Sequence, residues 1–451
     1  MSTDDVKAVL KTLDEQQVRF VDLLFTGIMG ELKSVTLPAE EMQNVFEEDK
    51  GVDGSSILGF ARLEESDQVL VPDASTFGIY PYAADPSERT GFLHCDVHNP
   101  DRTPFAGSPR NVLKRVEKQA LDLGYDGFYV APEMEFFLFN QTNGDEIAPL
   151  PYDRGGYFDH GTNDPADSIK KKMMLALRCL GIEVEYAHHE VAPGQHELDF
   201  RYGPALVTAD RTMIFKHMIK AVAAENGAHA TFMPKPMAGQ NGSGMHTHFS
   251  LWKDGKNAFY DPKGEPYHMS KVGRSFIAGI MDHVREFTAI LNPLVNSYKR
   301  IIPGYEAPVY ISWATINRSA LIRVPNVKAD KEPTGRRAEI RSPDPSANPY
   351  LAFTVLLAAG LDGIERGLEP PAPVDKVNLF KLGEAQRKAE GIKSLPGSLE
   401  DSLKDMQRSE WMKGVLGEHL FDSYLKAKWT EWDVFREAVT DWEIKQYLYS
   451  V

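Results

Sequence analysis

The chain has 451 residues, enough for two or more domains or one large domain with a smaller partner. Its 50 Lys and Arg against 65 Asp and Glu give a net charge of -15, which argues against nucleic acid or an anionic membrane as the main partner and demands locally clustered cations for any anionic substrate. Two cysteines, Cys95 and Cys179, are too few for a disulfide framework and fit a reducing cytoplasm, and the acidic, amphipathic start lacks the features of a secretion signal.

Residues 3 to 14 predict a short helix with Val6, Val9, Leu10 and Leu13 on one face. From Arg19 to about Pro104, short apolar runs (RFVDLLF, ELKSVTL, QVLVPD, FGIYPY, GFLHCDV) separated by Gly, Asp and Pro predict a mostly β unit of roughly 90 residues. A helix start follows, with Ser108 as N-cap, Pro109 in the first turn, Val112, Leu113, Val116, Ala120 and Leu121 on one face, and Gly124 just beyond. The domain boundary is placed here, giving units 1–105 and 106–451. The remainder alternates strands (126–139, 181–189, 194–202, 228–233, 244–252, 309–316, 335–342) with helices (165–180, 208–226, 269–292, 346–366, 399–427). The longest uncharged apolar run, Leu351 to Leu361, is too short to span a bilayer. Pro370 to Ser398 reads as a surface excursion. The last stretch, with Trp429, Trp432, Phe435, Trp442, Tyr447 and Tyr449, is too aromatic for a free tail and predicts packing on the body or on a neighbouring subunit.

Three segments place charged or metal-binding side chains two residues apart in an extended, apolar-flanked setting: Glu133 and Glu135 in GFYVAPEMEFFLF, His246 and His248 in NGSGMHTHFSLW, and Arg337, Glu339 and Arg341 in GRRAEIRSPDP. In a strand, residues i and i+2 share a face at about 6.6 to 7 Å, so each segment aims its polar groups into one space. In HHEVAPGQHELDF, Glu190 and Glu197 flank a Pro193-Gly194 turn, and a hairpin there returns both carboxylates to one place. Taken singly, each group has an ordinary alternative: arginine-paired structural glutamates, a surface hairpin, a core histidine. Taken together, Glu133, Glu135, Glu190, Glu197, Glu339 and a histidine are oxygen-rich ligands suited to two Mg²⁺ or Mn²⁺ ions, and the absence of thiolates argues against structural zinc. Arg300, Arg318, Arg323, Arg337 and Arg341 suit a nucleotide plus a carboxylate substrate. No glycine-rich phosphate loop is present, so metal and arginine must hold the phosphates.

At these residues the chain closely resembles the glutamine synthetase family, in its type I, prokaryotic class. VDGSS, PEMEFFLF, HHEVAPGQHE, NGSGMHTHFSLW, NSYKRIIPGYEAP, NRSALIRVP and RRAEIRSPDPSANPYL look like that family's motifs, in its order, across nearly the whole chain. The resemblance implies an α+β fold: an N-terminal β-grasp domain, then a guanido-kinase-like catalytic domain whose curved antiparallel sheet is flanked by helices. It implies ATP-dependent joining of ammonia to glutamate through γ-glutamyl phosphate, with Glu135, Glu190 and Glu197 holding a first metal and Glu133, His246 and Glu339 a second. Arg300 and Arg341 would bind the glutamate carboxylates, Asn241 and Gly242 its α-amino end, and Arg318 the transferring phosphoryl group. Arg323 and Arg337 would contact ATP, with Glu185, His248 and Ser250 on the nucleotide side and Tyr202 against the adenine. Asp53, with Ser56, resembles the ammonium site that draws off a proton, and Glu306 the flap carboxylate that closes it.

The same resemblance implies a homo-dodecamer of two stacked hexamers, with Asp53 serving the next subunit's substrate and the aromatic C-terminus clasping the opposite ring. Members controlled by adenylylation carry a tyrosine where this chain has Phe380, which has no hydroxyl to modify. Arg62 in FARLEESD matches an arginine tied to glutamine feedback in the shorter α-type subclass, and Arg89 and Arg178 leave room for 2-oxoglutarate or a small regulatory protein. Two alternatives remain at this point: a relative that ligates a polyamine or ethanolamine, and an inactive structural homologue.

Overall fold

The computed structural model describes residues 3–55, 57, 67–82, 85–141, 150–305, 307–317, 319–375, 379 and 382–451. Ser56, Arg62, Glu306, Arg318 and Phe380 lie outside the described residues.

Helix α1 (Thr3–Glu15) buries Val9 and Leu13 and leads into six strands: β1 (Phe20–Thr26), β2 (Leu32–Pro38), β3 (Lys50–Asp53), β4 (Asp67–Pro72), β5 (Gly78–Ile79) and β6 (Thr90–His98). They form one sheet in the order β2-β1-β6-β4-β3, with β5 on β6; β1 and β6 run parallel in its centre. Sequence periodicity missed β3 and the helix before it, α2 (Met42–Glu48), because each is shorter than the window in which a repeat shows. Val21, Leu23, Leu70, Leu93, Cys95 and Val97 build a separate small core beneath this sheet.

The second sheet has ten strands: β7 (Gly127–Asn140), β8 (Val184–His189), β9 (Gln195–Phe200), β10 (Gly203–Pro204), β11 (Ala228–Thr231), β12 (Thr247–Lys253), β13 (Lys256–Asn257), β14 (Tyr310–Ala314), β15 (Ala320–Arg323) and β16 (Ala338–Ile340). Its path is β14-β15-β16-β12-β7-β9-β8, antiparallel except for β14 with β15. The long strand β7 is the hub: its first half pairs with β12 and its second with β9. Along its first eight residues burial alternates, with Phe128, Val130 and Met134 turned to the core and Tyr129, Ala131 and Glu133 to the opposite face, which Glu135 shares although it too is buried.

Helices cover the core face. They are α3 (Pro109–Asp122), α4 (Asp167–Cys179), α5 (Ala205–Glu225), α6 (Lys271–Leu291) and α8 (Pro349–Glu365), whereas the four-residue α7 (Glu332–Gly335) buries none of its residues and borders the polar face. Phe276 of α6 stacks on Phe128 and Phe249, 5.9 and 5.4 Å between ring centres, and so fixes this helix on β7 and β12. Ser108 caps α3 by position, but its side chain makes no cap bond.

Where the sequence predicted one helix over 399–427, the chain forms three: α10 (Leu399–Gln407), α11 (Glu410–Leu416) and α12 (Glu418–Glu437), after α9 (Glu384–Ala389) inside the predicted surface excursion. Ser409 accepts from the Met412 amide and starts a new helix, and Gly417 at φ 82° ends it, while the apolar periodicity runs on unbroken. Trp429 and Trp432 pack on the main core; α13 (Asp441–Tyr447) leaves Trp442, Tyr447 and Tyr449 exposed.

Two polar devices join the two sheets. Arg110 of α3 donates to Asp73 and Asp96 beside the first sheet at 2.8 and 2.5 Å and to Asp210 of α5 at 2.9 Å. Asn348, which caps α8, donates to the carbonyls of Gly27 and Ile28 at 3.1 and 3.3 Å.

Candidate active site

The polar face of β7 opens on two adjoining cavities. The larger, about 640 Å³, is walled by Glu133, Glu135, Glu190, Glu197, Asn241, Gly242, His246, Arg300, Arg323 and Arg341. The smaller, about 300 Å³, is walled by Glu185, Tyr202, His248, Ser250 and Arg337. Glu133 and Tyr186 belong to both. The sequence-predicted residues thus converge, apart from those outside the described residues and two others. Glu339 is fully buried behind the walls. Asp53 is exposed, lines neither cavity, and accepts from the Ser55 amide at 2.8 Å.

Strand pairing explains the convergence. Glu135 stands opposite Glu197, Glu133 opposite Asp199, and His248 opposite Glu339, so β7, β9 and β16 present their acids, and β12 its histidine, at one level. Just before β12, Gly244 accepts from the Glu135 amide at 3.3 Å and His246 from the Glu133 amide at 2.8 Å, which continues the ladder along β7. A side chain at Gly244 would meet Arg300 Nη2 at 2.6 Å and Glu135 Oε1 at 3.0 Å, so this glycine is needed by the protein's own charged groups.

Around Glu133 the charges are balanced within the chain. His246 Nδ1 and His248 Nε2 bond its two oxygens at 2.9 and 2.8 Å. Burial opposes ionisation, but these bonds hold the Glu133 carboxyl well below the usual range. Glu339 lies between Arg323 Nε at 2.7 Å and Arg341 Nη1 at 2.5 Å. Against its burial, His248 and Arg341 keep it ionised. Burial and then Arg341 push His246 down to about 4, so it is a neutral ring with Nε2 as acceptor, 3.4 Å from Arg300 Nη2. Arg300 also donates to the carbonyls of Ser342 and Arg341 at 2.7 and 3.2 Å.

Glu135 and Glu197 are balanced less completely. Among the described residues, Glu135 and Glu197 have no arginine or lysine within ion-pair distance; their nearest bases are His246 at 4.0 Å and His188 at 3.4 Å. Burial, then Glu190, push Glu135 up to about 8, and burial, then Asp199 and Glu135, push Glu197 up to about 12. Mutually repelling buried carboxylates of this kind fit a hard divalent cation. Donor atoms close enough to share an ion occur in His188, Glu190 and Glu197, and again in Glu133, His248 and Glu339.

Sequence reasoning missed three contributors. His188 joins the acid cluster; its signal was the i, i+2 spacing to Glu190. Gln195 bonds Glu135 at 2.8 Å and the Gly242 carbonyl at 3.2 Å, and no sequence pattern marks it. Tyr129 packs edge-on against Tyr202 at 5.9 Å, and its signal was sharing the face of Glu133 and Glu135.

Carboxylates that want a divalent ion, beside arginines on two adjoining cavities, define an enzyme that handles phosphate and carboxylate together. The family models match accordingly: "Glutamine synthetase, beta-Grasp domain" over residues 17–100 and "Glutamine synthetase, catalytic domain" over residues 106–447. Proteins named glutamine synthetase from Thermus thermophilus and Methanosarcina mazei are each 47% identical, over 442 and 441 residues, covering 98% of this chain and 98% and 97% of theirs. Among solved structures, a Plasmodium falciparum glutamine synthetase superposes at TM-score 0.89 with 26% identity, covering 99% of both chains. A GmaS/ADP complex gives 0.86 with 30% identity, covering 98% of this chain and 99% of that one. The chain belongs to the glutamine synthetase family and is a glutamate–ammonia ligase, an activity that uses ATP and divalent metal. No described helix is long and apolar enough to cross a membrane.

Proposed function

We propose that the two cavities divide the reaction, with glutamate in the larger, the nucleotide in the smaller, and Glu133 between them. The sharing of Glu133 carries this reading, because the glutamate carboxylate and the γ-phosphate have to meet where the two spaces join. Arg341 and Arg300 would take the glutamate carboxylates, with Asn241 and the Gly242 backbone at its α-amino end. Tyr202, Glu185, His248 and Ser250 would line the nucleotide, with Arg323 and Arg337 on its phosphates. Two divalent ions, Mg²⁺ or Mn²⁺, would be held by Glu135, Glu190 and Glu197 and by Glu133, His246 and Glu339; when bound they mask the negative charge that separates the reactants.

A γ-carboxylate oxygen attacks the γ-phosphorus, ADP departs, and Arg318 stabilises the transferring group. Ammonium gives a proton to Asp53, aided by Ser56, while Glu306 excludes water; ammonia then attacks the acyl carbon and phosphate leaves. Asp53, exposed and away from both cavities, fits service to a neighbouring subunit's substrate in a dodecamer of two stacked hexamers. The exposed apolar residues of α13 fit the contact between rings. We further assign residues 1–105 and 106–451 to separate domains, a cytoplasmic location given two free cysteines, and direct glutamine feedback at Arg62.

The test is Mg²⁺-dependent phosphate release with glutamate and ATP, comparing ammonium with a panel of amines. Ammonium should give the highest kcat/KM, and preference for a larger amine would overturn the assignment of the nitrogen donor. Arg62→Ala should relieve inhibition by glutamine, and sedimentation should find twelve subunits per assembly.

A further inference from the structure

The hairpin β8–β9 has a second polar cluster on its reverse side, wholly removed from solvent. His189 and His196 directly precede Glu190 and Glu197 in sequence, so strand alternation turns the histidines away from the cavity while their neighbours face it. The two imidazoles are register partners and pack edge to face at 4.7 Å. Between them sits Asp153, from the connection between β7 and α4. His189, His196 and Asp153 are each 0% exposed at the side chain.

Asp153 makes an unusual number of contacts to one hairpin. Its Oδ1 accepts from His189 Nε2 at 2.7 Å, from the amide of Gly194 in the turn at 2.8 Å, and from its own segment's Gly155 amide at 3.0 Å. Its Oδ2 lies 3.2 Å from His196 Nε2. His189 carries the restraint forward, since its Nδ1 bonds the main-chain carbonyl of Glu190 at 2.6 Å. One carboxylate therefore touches both strands and the turn joining them, and through one imidazole it reaches the backbone of a front-face acid.

Burying a carboxylate with two imidazoles costs free energy that an apolar filling would not. A hairpin needs no such device merely to pair, because the β8 and β9 ladder and the Glu190 amide to Gln195 carbonyl bond at 2.7 Å already close it. What the cluster adds is a fixed distance between the two strands at the level of Glu190 and Glu197. Ligand carboxylates tolerate displacements of only about 0.5 Å before coordination weakens.

We propose that Asp153 is a positioning residue for cation binding, setting the spacing of Glu190 and Glu197 from the far side of the sheet through His189, His196 and the Gly194 amide. The inference rests on the reading of Glu190 and Glu197 as metal ligands. Asp153 touches neither substrate nor the reacting atoms.

The experiment measures Mn²⁺ binding by electron paramagnetic resonance, together with the Mg²⁺ dependence of glutamine formation, on the assembled full-length enzyme. Asp153→Asn and His196→Asn are each compared with the parent and with Glu197→Gln. Both rear-face variants should weaken the Mn²⁺ site by about 10 to 100-fold, as loss of an outer support does, and raise the Mg²⁺ needed for half-maximal rate by a similar factor. At saturating Mg²⁺ their kcat should return close to the parent value, with KM for ATP unchanged; a purely structural lesion would not be rescued by metal. Should Asp153→Asn fail to assemble, His196→Asn decides, because it leaves the Asp153 contacts to His189 and Gly194 in place.

Parent-like Mn²⁺ affinity in an assembled variant overturns the proposal, as does activity lost at every metal concentration. Stoichiometric zinc in the parent that disappears in His196→Asn would also overturn it, since the cluster would then be a metal site in its own right. If Glu197→Gln itself keeps the full Mn²⁺ complement, the reading of the hairpin as metal-bearing fails, independently of Asp153.

Discussion

In the larger cavity Glu135 and Glu197 face each other without a paired arginine or lysine among the described residues, whereas Glu133, shared by the two cavities, sits between two histidines and Glu339 behind it between two arginines. Both groups are acids of one sheet, half-buried or buried, yet one is driven towards the protonated state and the other kept ionised. The difference lies in the counter-charge each place carries. Glu133 and Glu339 arrive balanced, while the larger cavity depends on a cation from solution to become a charged site.

Removing an acid from each place tests that contrast most severely. Glu197→Gln should lower kcat by at least a hundredfold, equivalent to losing several kcal/mol of metal-derived stabilisation, and excess Mg²⁺ should restore little of it. Steady-state kinetics across a metal titration would show this. Glu339→Gln, although also assigned to an ion, should cost less metal affinity because Arg323 and Arg341 already meet its charge, and equal damage would break the contrast.

The next effect is on pH. Glu135 keeps its proton to about 8 in the folded, metal-free chain, against roughly 4.3 when unfolded. The folded state therefore binds more protons across this window, and metal-free stability should fall as pH rises from about 4.3 to 8. Saturating Mg²⁺ should abolish the fall, because the cation takes the proton's place, and its affinity should rise by up to about tenfold per pH unit until Glu135 is ionised. Thermal melts with and without Mg²⁺ at several pH values give the sign; a metal-free melting temperature that climbs over this range would contradict it.

Smaller changes are expected at the balanced end. His248→Asn removes one bond to Glu133 and the acceptor for Arg337 Nε at 3.3 Å, and should raise KM for ATP about tenfold with KM for glutamate nearly constant. Tyr202→Ala should cost about 1 kcal/mol of base stacking, roughly fivefold in KM for ATP, with kcat unchanged. A glutamate-specific effect from either variant would mean that the cavities are assigned the wrong way round.

The acids of this contrast were legible in the sequence because β7 packs one face on a core, so the alternation that buries Phe128 and Met134 also marks Glu133 and Glu135. The balance was not legible. That Glu339 is clamped by Arg323 depends on β15 pairing with β16, and Ala320–Arg323 is too short and too evenly buried to announce itself as a strand. Helix breaks at Ser409 and Gly417 escaped for the opposite reason, since the apolar repeat continues through them. Asp53 was recognisable only within its motif, and the structure leaves it exposed at the end of β3.

Glu133 reaches both cavities from a single position on a strand buried on its other side. Any ligand that alters the charge or placement of this carboxylate is felt in both spaces, so nucleotide and glutamate affinities are expected to be linked by one coupling free energy, equal in both directions. Selection on the affinity for either substrate would then also shift the other, and substitutions that tune them separately should be sought at the outer ends of the cavities.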